Sequence, residues 1–152
     1  MVKLPVFSKY IPRDQCATRH VRSQEIQKRR MDLKPGPDGF AVTAQICVLD
    51  LAGLSLAPSS SGLNNFKDLV NIDQNYYPES LAHIFFLNTP WLFYPLWAIV
   101  RPWIDPVTVK KFHLLGSNYQ DELLKYIPAS DLPVEYGGES PYEVPRLESH
   151  DL

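Results

Sequence analysis

The sequence predicts an α/β fold: a mainly parallel sheet flanked by helices. Three observations lead there. Apolar runs of strand length recur along the middle of the chain, segments with helical apolar spacing separate them, and proline, glycine and hydroxyl residues stand at the joins. Such alternation argues for right-handed crossovers between parallel strands, because a twisted strand feeding a helix packs back onto its sheet in that hand.

The elements follow in chain order. Residues 1–39 hold a candidate strand at 4–10 and a candidate helix at 18–31, and close in the turn-forming loop Lys34-Pro35-Gly36-Pro37-Asp38-Gly39. Ile46, Cys47, Val48 and Leu49, leading into Asp50-Leu51, are apolar without a break, as a strand buried on both faces requires. After Ser59-Ser60-Ser61-Gly62, the residues Leu63, Phe66, Leu69, Val70 and Ile72 recur at helical spacing. A second buried strand is expected at 83–87. Thr89 is placed to cap the next turn, with Pro90 at the first helical position, where its missing N–H costs nothing. Pro95 is expected to break or restart that helix, and Pro102 to stop it. Residues 109–115 form the third expected strand. Ser117-Asn118-Tyr119-Gln120 fits a capping box opening a helix at 121–127, which ends before Pro128. From Gly137 onward the chain is polar, punctuated by proline, and expected to be mobile. The division expected is a domain at 40–140 between the segment 1–39 and a flexible tail at 141–152.

A chain of 152 residues suits one domain with a moderate core. The net charge of −2 argues against a broad electrostatic hold on nucleic acid, and Lys28, Arg29 and Arg30 are expected to form a solvated helix face. Two cysteines, Cys16 and Cys47, make no disulfide framework and favour a reducing compartment. Trp91, Leu92, Phe93, Tyr94, Leu96, Trp97, Ile99, Val100 and Trp103 make an aromatic and aliphatic run, but the uncharged stretch from Ile84 to Val100 carries Asn88, Thr89, Pro90 and Pro95 and is ended by Arg101, too short to span a bilayer. Such a run serves either core packing or contact with a greasy ligand.

Signatures of catalysis and cofactor binding are missing. No G-x-G-x-x-G, G-x-x-x-x-G-K-[ST] or G-x-S-x-G motif occurs, and Gly137-Gly138 follows the last expected helix. His83 and His113 are positioned to become neighbours, but no cysteine or acidic pattern completes a metal site. Asp50, at a strand's carboxyl end, is the best generic acid–base candidate, with chain-turning as its structural role. An enzyme is disfavoured, and neither cofactor nor metal is expected.

Six segments in register resemble the CRAL-TRIO family of phosphatidylinositol and phosphatidylcholine transfer proteins. They are Val48-Leu49-Asp50-Leu51-Ala52-Gly53, Gln74-Asn75-Tyr76-Tyr77-Pro78-Glu79, Leu87-Asn88-Thr89-Pro90, a run at 102–111, Leu115-Gly116-Ser117, and a run at 132–138. The resemblance extends from about residue 45 to 140, and implies a CRAL-TRIO-like lipid-binding lobe, divergent and incomplete at its N-terminus. By that resemblance the sheet floors an apolar pocket for acyl chains. The segment 91–103 is a gate over it, with Trp91, Phe93, Leu96, Trp97, Val100 and Trp103 as gate and acyl-chain contacts.

The resemblance also implies headgroup residues. Phosphatidylinositol-binding members carry a glutamate and a lysine that stand here as Glu79 and Lys111, each at or just before a strand start. Lysine can hold a phosphate by charge, while a carboxylate accepts inositol hydroxyls. Ser80 stands where phosphatidylcholine-binding members have arginine, and Gln45 and Cys47 replace two hydroxyl residues, which argues against phosphatidylcholine. The expected activity is non-catalytic intermembrane transfer of phosphatidylinositol or a related lipid, the alternatives being a lipid-sensing regulatory or protein-interaction module without transfer, or an incomplete fragment that binds nothing. The expected place is the cytoplasm, with transient visits to internal membranes.

Overall fold

The computed structural model describes residues 13–33, 35–36, 38–53, 60–77 and 79–143. The element order is α1 (Arg13–Leu33), β1 (Gln45–Asp50), α2 (Ser60–Tyr76), β2 (Leu81–Leu87), α3 (Phe93–Val100), a 3-10 turn (Arg101–Trp103), α4 (Pro106–Val109), β3 (Phe112–Leu114), α5 (Gln120–Leu124) and a 3-10 turn (Val134–Tyr136). The strands form one three-stranded sheet in the order β1-β2-β3. Both pairings are parallel, with Val48 opposite Phe85 and Phe85 opposite His113. The α/β, parallel architecture expected from the alternation of strands and helices is therefore present. The candidate strand at 4–10 lies outside the described residues.

Successive side chains of β2 point to opposite faces, and each face has its own cover. Phe85 and Leu87 are fully buried in a cluster with Tyr119, Leu123, Leu132 and Tyr136, with Ile46, Val48 and Leu115 packed against it. Phe86 faces the other way, where Phe93 of α3 and Phe112 of β3 lie over it. The C-terminal segment thus builds the core on one face, while α3 covers the other.

Several boundaries differ from those expected, each for a local reason. The third strand starts at Phe112 because Asp105 accepts hydrogen bonds from Val107 N (2.8 Å) and Thr108 N (3.3 Å), making 106–109 a helical turn with Pro106 in its first turn. Thr89 caps nothing; its hydroxyl donates to Phe86 O at 3.0 Å, and α3 begins at Phe93. Pro95 falls within the first turn of α3, where its absent N–H has no partner to lose, so the helix is not broken. Ser117 does not cap either: α5 starts at Gln120 behind Tyr119, without a side-chain cap. Residues 137–140 are held. Gly138 N donates to Pro133 O (3.2 Å), Glu139 N to Ala129 O (2.7 Å) and Ser140 N to Leu132 O (3.0 Å).

The helix expected at 18–31 is α1, and Lys28, Arg29 and Arg30 are exposed on it, a solvated face as expected. Asp73 of α2 ties it down, accepting from Gln24 Nε2 (2.8 Å) and pairing with His20 Nε2 (2.6 Å). Cys16 and Cys47 are free thiols. Among the described residues no helix is long and apolar enough to cross a membrane.

Candidate lipid-binding site

The N-terminal edge of the sheet gathers the polar residues of the site. Gln45 N donates to Ser80 O at 2.9 Å, which aligns β1 with the turn before β2. Lys111, immediately before β3, donates from Nζ to Leu81 O at 2.5 Å, while its own carbonyl accepts from Ile84 N at 2.9 Å. Lys111 is half-buried, and its ammonium is partnered by a neutral carbonyl rather than a carboxylate. Glu79 is exposed two residues before Leu81, with φ +64°. That left-handed conformation is uncommon for a residue with a Cβ, and such strain clusters at functional segments. The parallel register therefore brings Glu79 and Lys111 to one edge, but no ion pair joins them among the described residues.

The opposite edge carries a buried polar knot around Asp50, which the sequence offered both as a generic acid–base candidate and as a chain-turning residue. Asp50 is buried at the end of β1 and accepts from Ala52 N and Asn88 Nδ2, both at 2.8 Å. Asn88 ends β2 with φ +51°, and its N–H donates to Gly116 O at 3.2 Å. Burial, with the charges of Glu135 and Asp50, holds the Tyr136 phenol far above its usual range. Asp50 thus fixes the joint from which residues 91–103 depart. Its role is to turn and tie the chain.

The aromatic run lies between these edges. Phe93, Leu96, Trp97 and Val100 recur at helical spacing and form the less exposed face of α3. Phe93 meets Phe86 with centroids 5.3 Å apart, and Trp97 stacks on Phe112 at 4.9 Å. Trp103 is half-buried, with Lys67 Nζ 5.6 Å from its ring centroid. Trp91 stands apart from that face at 75% exposure, with Tyr94 and Ile99 also exposed. A cleft of about 650 Å³ opens on the solvent side, lined by Ala98, Arg101, Ile104, Val109 and Lys110 among others. The helix carries apolar residues on both sides, one against the sheet and one outward.

On the core face, His83 Nδ1 and His113 Nε2 are 3.0 Å apart, the neighbours that the sequence allowed. Tyr126 lies over His83 at 4.5 Å. Among the described residues no third His, Cys, Asp or Glu joins them in a metal-binding group.

The end of the run holds a contact that no motif announces. The Gln74 side chain accepts from Asp105 N at 2.6 Å and donates to Trp103 O at 3.3 Å. The two partners lie about thirty residues along the chain from Gln74, so only the fold brings them together.

Comparison with known proteins places this arrangement. The profile described as CRAL/TRIO domain matches residues 18–138. The chain is 44% identical over 102 residues to a CRAL-TRIO domain-containing protein of Saccharomyces cerevisiae, covering 67% of this chain and 33% of that protein. It is 40% identical over 102 residues to the SEC14 cytosolic factor of Yarrowia lipolytica, covering 67% of this chain and 21% of that protein. A phosphatidylinositol/phosphatidylcholine transfer protein of Arabidopsis thaliana, SFH11, is 32% identical over 143 residues, which is 91% of this chain and 37% of that protein. The chain thus spans well under half the length of these relatives. The crystal structure of Sfh5 shares the fold, with TM-score 0.67 and 24% identity over 86% of this chain and 46% of that one. With a profile match over most of its length and close relatives bearing the same domain, the chain belongs to the CRAL/TRIO domain family.

Proposed function

We propose that this chain binds phosphatidylinositol or a closely related phospholipid without catalysis and carries it between membranes. The observation that bears most weight is Lys111, whose half-buried ammonium meets, among the described residues, the Leu81 carbonyl and no carboxylate, at the edge where Glu79 stands. A cation partly withdrawn from water without a counter-charge is suited to take a phosphate. Glu79, two residues from that carbonyl, is free to accept hydroxyls of the headgroup. The transfer proteins and cytosolic factors among its relatives support the same reading.

Residues 91–103 then act as a lid. Its inner rings lie on Phe86 and Phe112, so acyl chains enter by lifting Phe93 and Trp97 and taking their place against the sheet. That exchange replaces one apolar contact by another, and burying the tails contributes about 0.8 kcal/mol per CH₂. The exposed Trp91, Leu92 and Ile99 suit transient contact with a bilayer while the lid is raised. The protein then works in the cytoplasm and visits membranes only briefly.

The test is mass spectrometry of lipids that co-purify with the chain, followed by transfer of labelled phosphatidylinositol between vesicles. Recovery of phosphatidylinositol with measurable transfer is expected. Bound lipid without transfer would make the chain a lipid sensor, and recovery of no phospholipid would overturn the proposal.

A further inference from the structure

Gln74 joins two backbone groups that flank a single residue. Trp103 O and Asp105 N stand on either side of Ile104, which is extended (φ −101°, ψ 138°) and buried. In a parallel bridge, one residue donates to the carbonyl before its partner and accepts from the N–H after it. The Gln74 amide does both, donating from Nε2 to Trp103 O and accepting at Oε1 from Asp105 N. A side chain therefore stands where a strand's peptide group would. Unlike a strand, it is held by side-chain torsions alone and can let go without disturbing the sheet.

The clasp sits where the lid ends. Asp105 goes on to cap α4, so the residue that Gln74 holds is also the start of the turn leading to Lys111. At the other end of the lid, Asn88 and Thr89 are pinned into the sheet through Asp50 Oδ1, Leu115 O and Gly116 O. One end is thus fixed by a buried carboxylate and sheet hydrogen bonds, the other by a half-buried amide. The weaker end is the one that opens first. Gln74 also begins the stretch that ends at Glu79, so the clasp and the proposed headgroup residue share one helix end and turn.

We propose that Gln74 is the positioning residue that latches the C-terminal end of the lid, and that its release is the opening step. This rests on residues 91–103 being the lid. The experiment is hydrogen exchange by residue on the full chain, with acrylamide quenching of fluorescence. Trp91, Trp97 and Trp103 are the chain's three tryptophans, so quenching reports on the lid alone. In Gln74→Ala, amide exchange at Asp105 and through the lid is expected to rise roughly tenfold, the scale of losing two modest hydrogen bonds, while β1–β3 stay protected. Asn75→Ala removes an exposed side chain that, among the described residues, is bonded within its own helix, and should leave the lid unchanged.

Gln74→Glu separates latching from packing, and is decisive if Gln74→Ala does not fold. As a carboxylate at pH 7 it repels Trp103 O and the lid loosens. Protonated near pH 4, it offers one donor and one acceptor, as the amide does, and protection returns toward wild type at that pH. Unchanged exchange at Asp105 in both variants overturns the latch, and so does a loss shared equally by sheet and lid. Lipid recovery from the same samples separates failure of the latch from failure of lipid transfer. Wild-type chain without phospholipid removes the transfer reading, whereas bound phospholipid with an unresponsive lid removes only the latch.

Discussion

Trp97 lies on Phe112 with ring centroids 4.9 Å apart and planes 28° from parallel, so α3 is seated on the strand that follows Lys111. Stacked aromatic pairs add about 1 kcal/mol to the area they bury. Trp97→Ala should therefore cost about 2 kcal/mol of stability, less than a fully buried aromatic because Trp97 is half-exposed. Trp91→Ala, at a position 75% exposed, should cost under about 0.5 kcal/mol. Urea unfolding measures both, and equal costs would mean that α3 is not seated through Trp97.

Lys111 carries the headgroup proposal, and its loss should separate binding from folding. Lys111→Ala removes one hydrogen bond to Leu81 O, a stability cost of about 1 kcal/mol. Recovery of phosphatidylinositol by mass spectrometry should fall to background while the melting transition stays cooperative. Glu79→Gln should weaken recovery without abolishing it. Full recovery in Lys111→Ala would remove that residue from the site.

β1 and β2 were legible in the sequence because each holds a short apolar run, at 46–49 and 84–87, a pattern that depends on local composition alone. β3 is only Phe112-His113-Leu114 within the expected 109–115. The ends of elements were not legible. Thr89 and Ser117 look like caps, but Thr89 is recruited by Phe86 O, and α5 begins three residues beyond Ser117. Tertiary partners override local propensity at both places. The site divides in the same way. Glu79 and Lys111 were visible through family motifs, and the parallel register does bring them to one edge. Gln74 and the Asp50–Asn88 pair were hidden, because a side chain that reaches 31 or 38 residues along the chain leaves no periodic trace.

Asp50 is buried and accepts hydrogen bonds from Ala52 N, Asn88 Nδ2 and the Tyr136 hydroxyl, so removing it should cost more than an exposed carboxylate would. Asp50→Ala leaves Asn88 Nδ2 and Ala52 N–H without an acceptor, a penalty of about 2–3 kcal/mol. Asp50→Asn retains an acceptor oxygen and should cost about 1 kcal/mol. Chemical unfolding distinguishes the two, and a larger loss for Asn than for Ala would contradict the role assigned to the carboxylate.

The His83–His113 contact should make stability fall in mild acid. Burial, then the neighbouring His83, lowers the pKa of His113, with Glu122 opposing the shift. The folded state thus favours the neutral ring, and the unfolded chain binds the proton more readily. The contribution is fully present above the ordinary histidine value of about 6.5. It is lost as pH falls through the lower, folded value. The melting temperature should decline from pH 7 toward pH 5, and His113→Gln should flatten that slope. A slope unchanged by the substitution would assign the effect elsewhere.

Gly138 tests how tightly the C-terminal segment closes the core. A Cβ there would lie 2.0 Å from Leu132 O, and the obstacle is backbone, so it cannot swing aside. The carbonyl in question accepts from Ser140 N at 3.0 Å, and Leu132 itself is buried against Phe85 and Leu123. Gly138→Ala must therefore displace either the 133–140 bridge or the core beneath it, at about 3 kcal/mol or more. Gly116→Ala is the matched control, since nothing lies within 4 Å of its added methyl. Both variants change one glycine to alanine outside the helices and strands, so a difference in melting temperature between them isolates the clash. Near-equal melting temperatures would mean that the segment yields without loss and does not close the core.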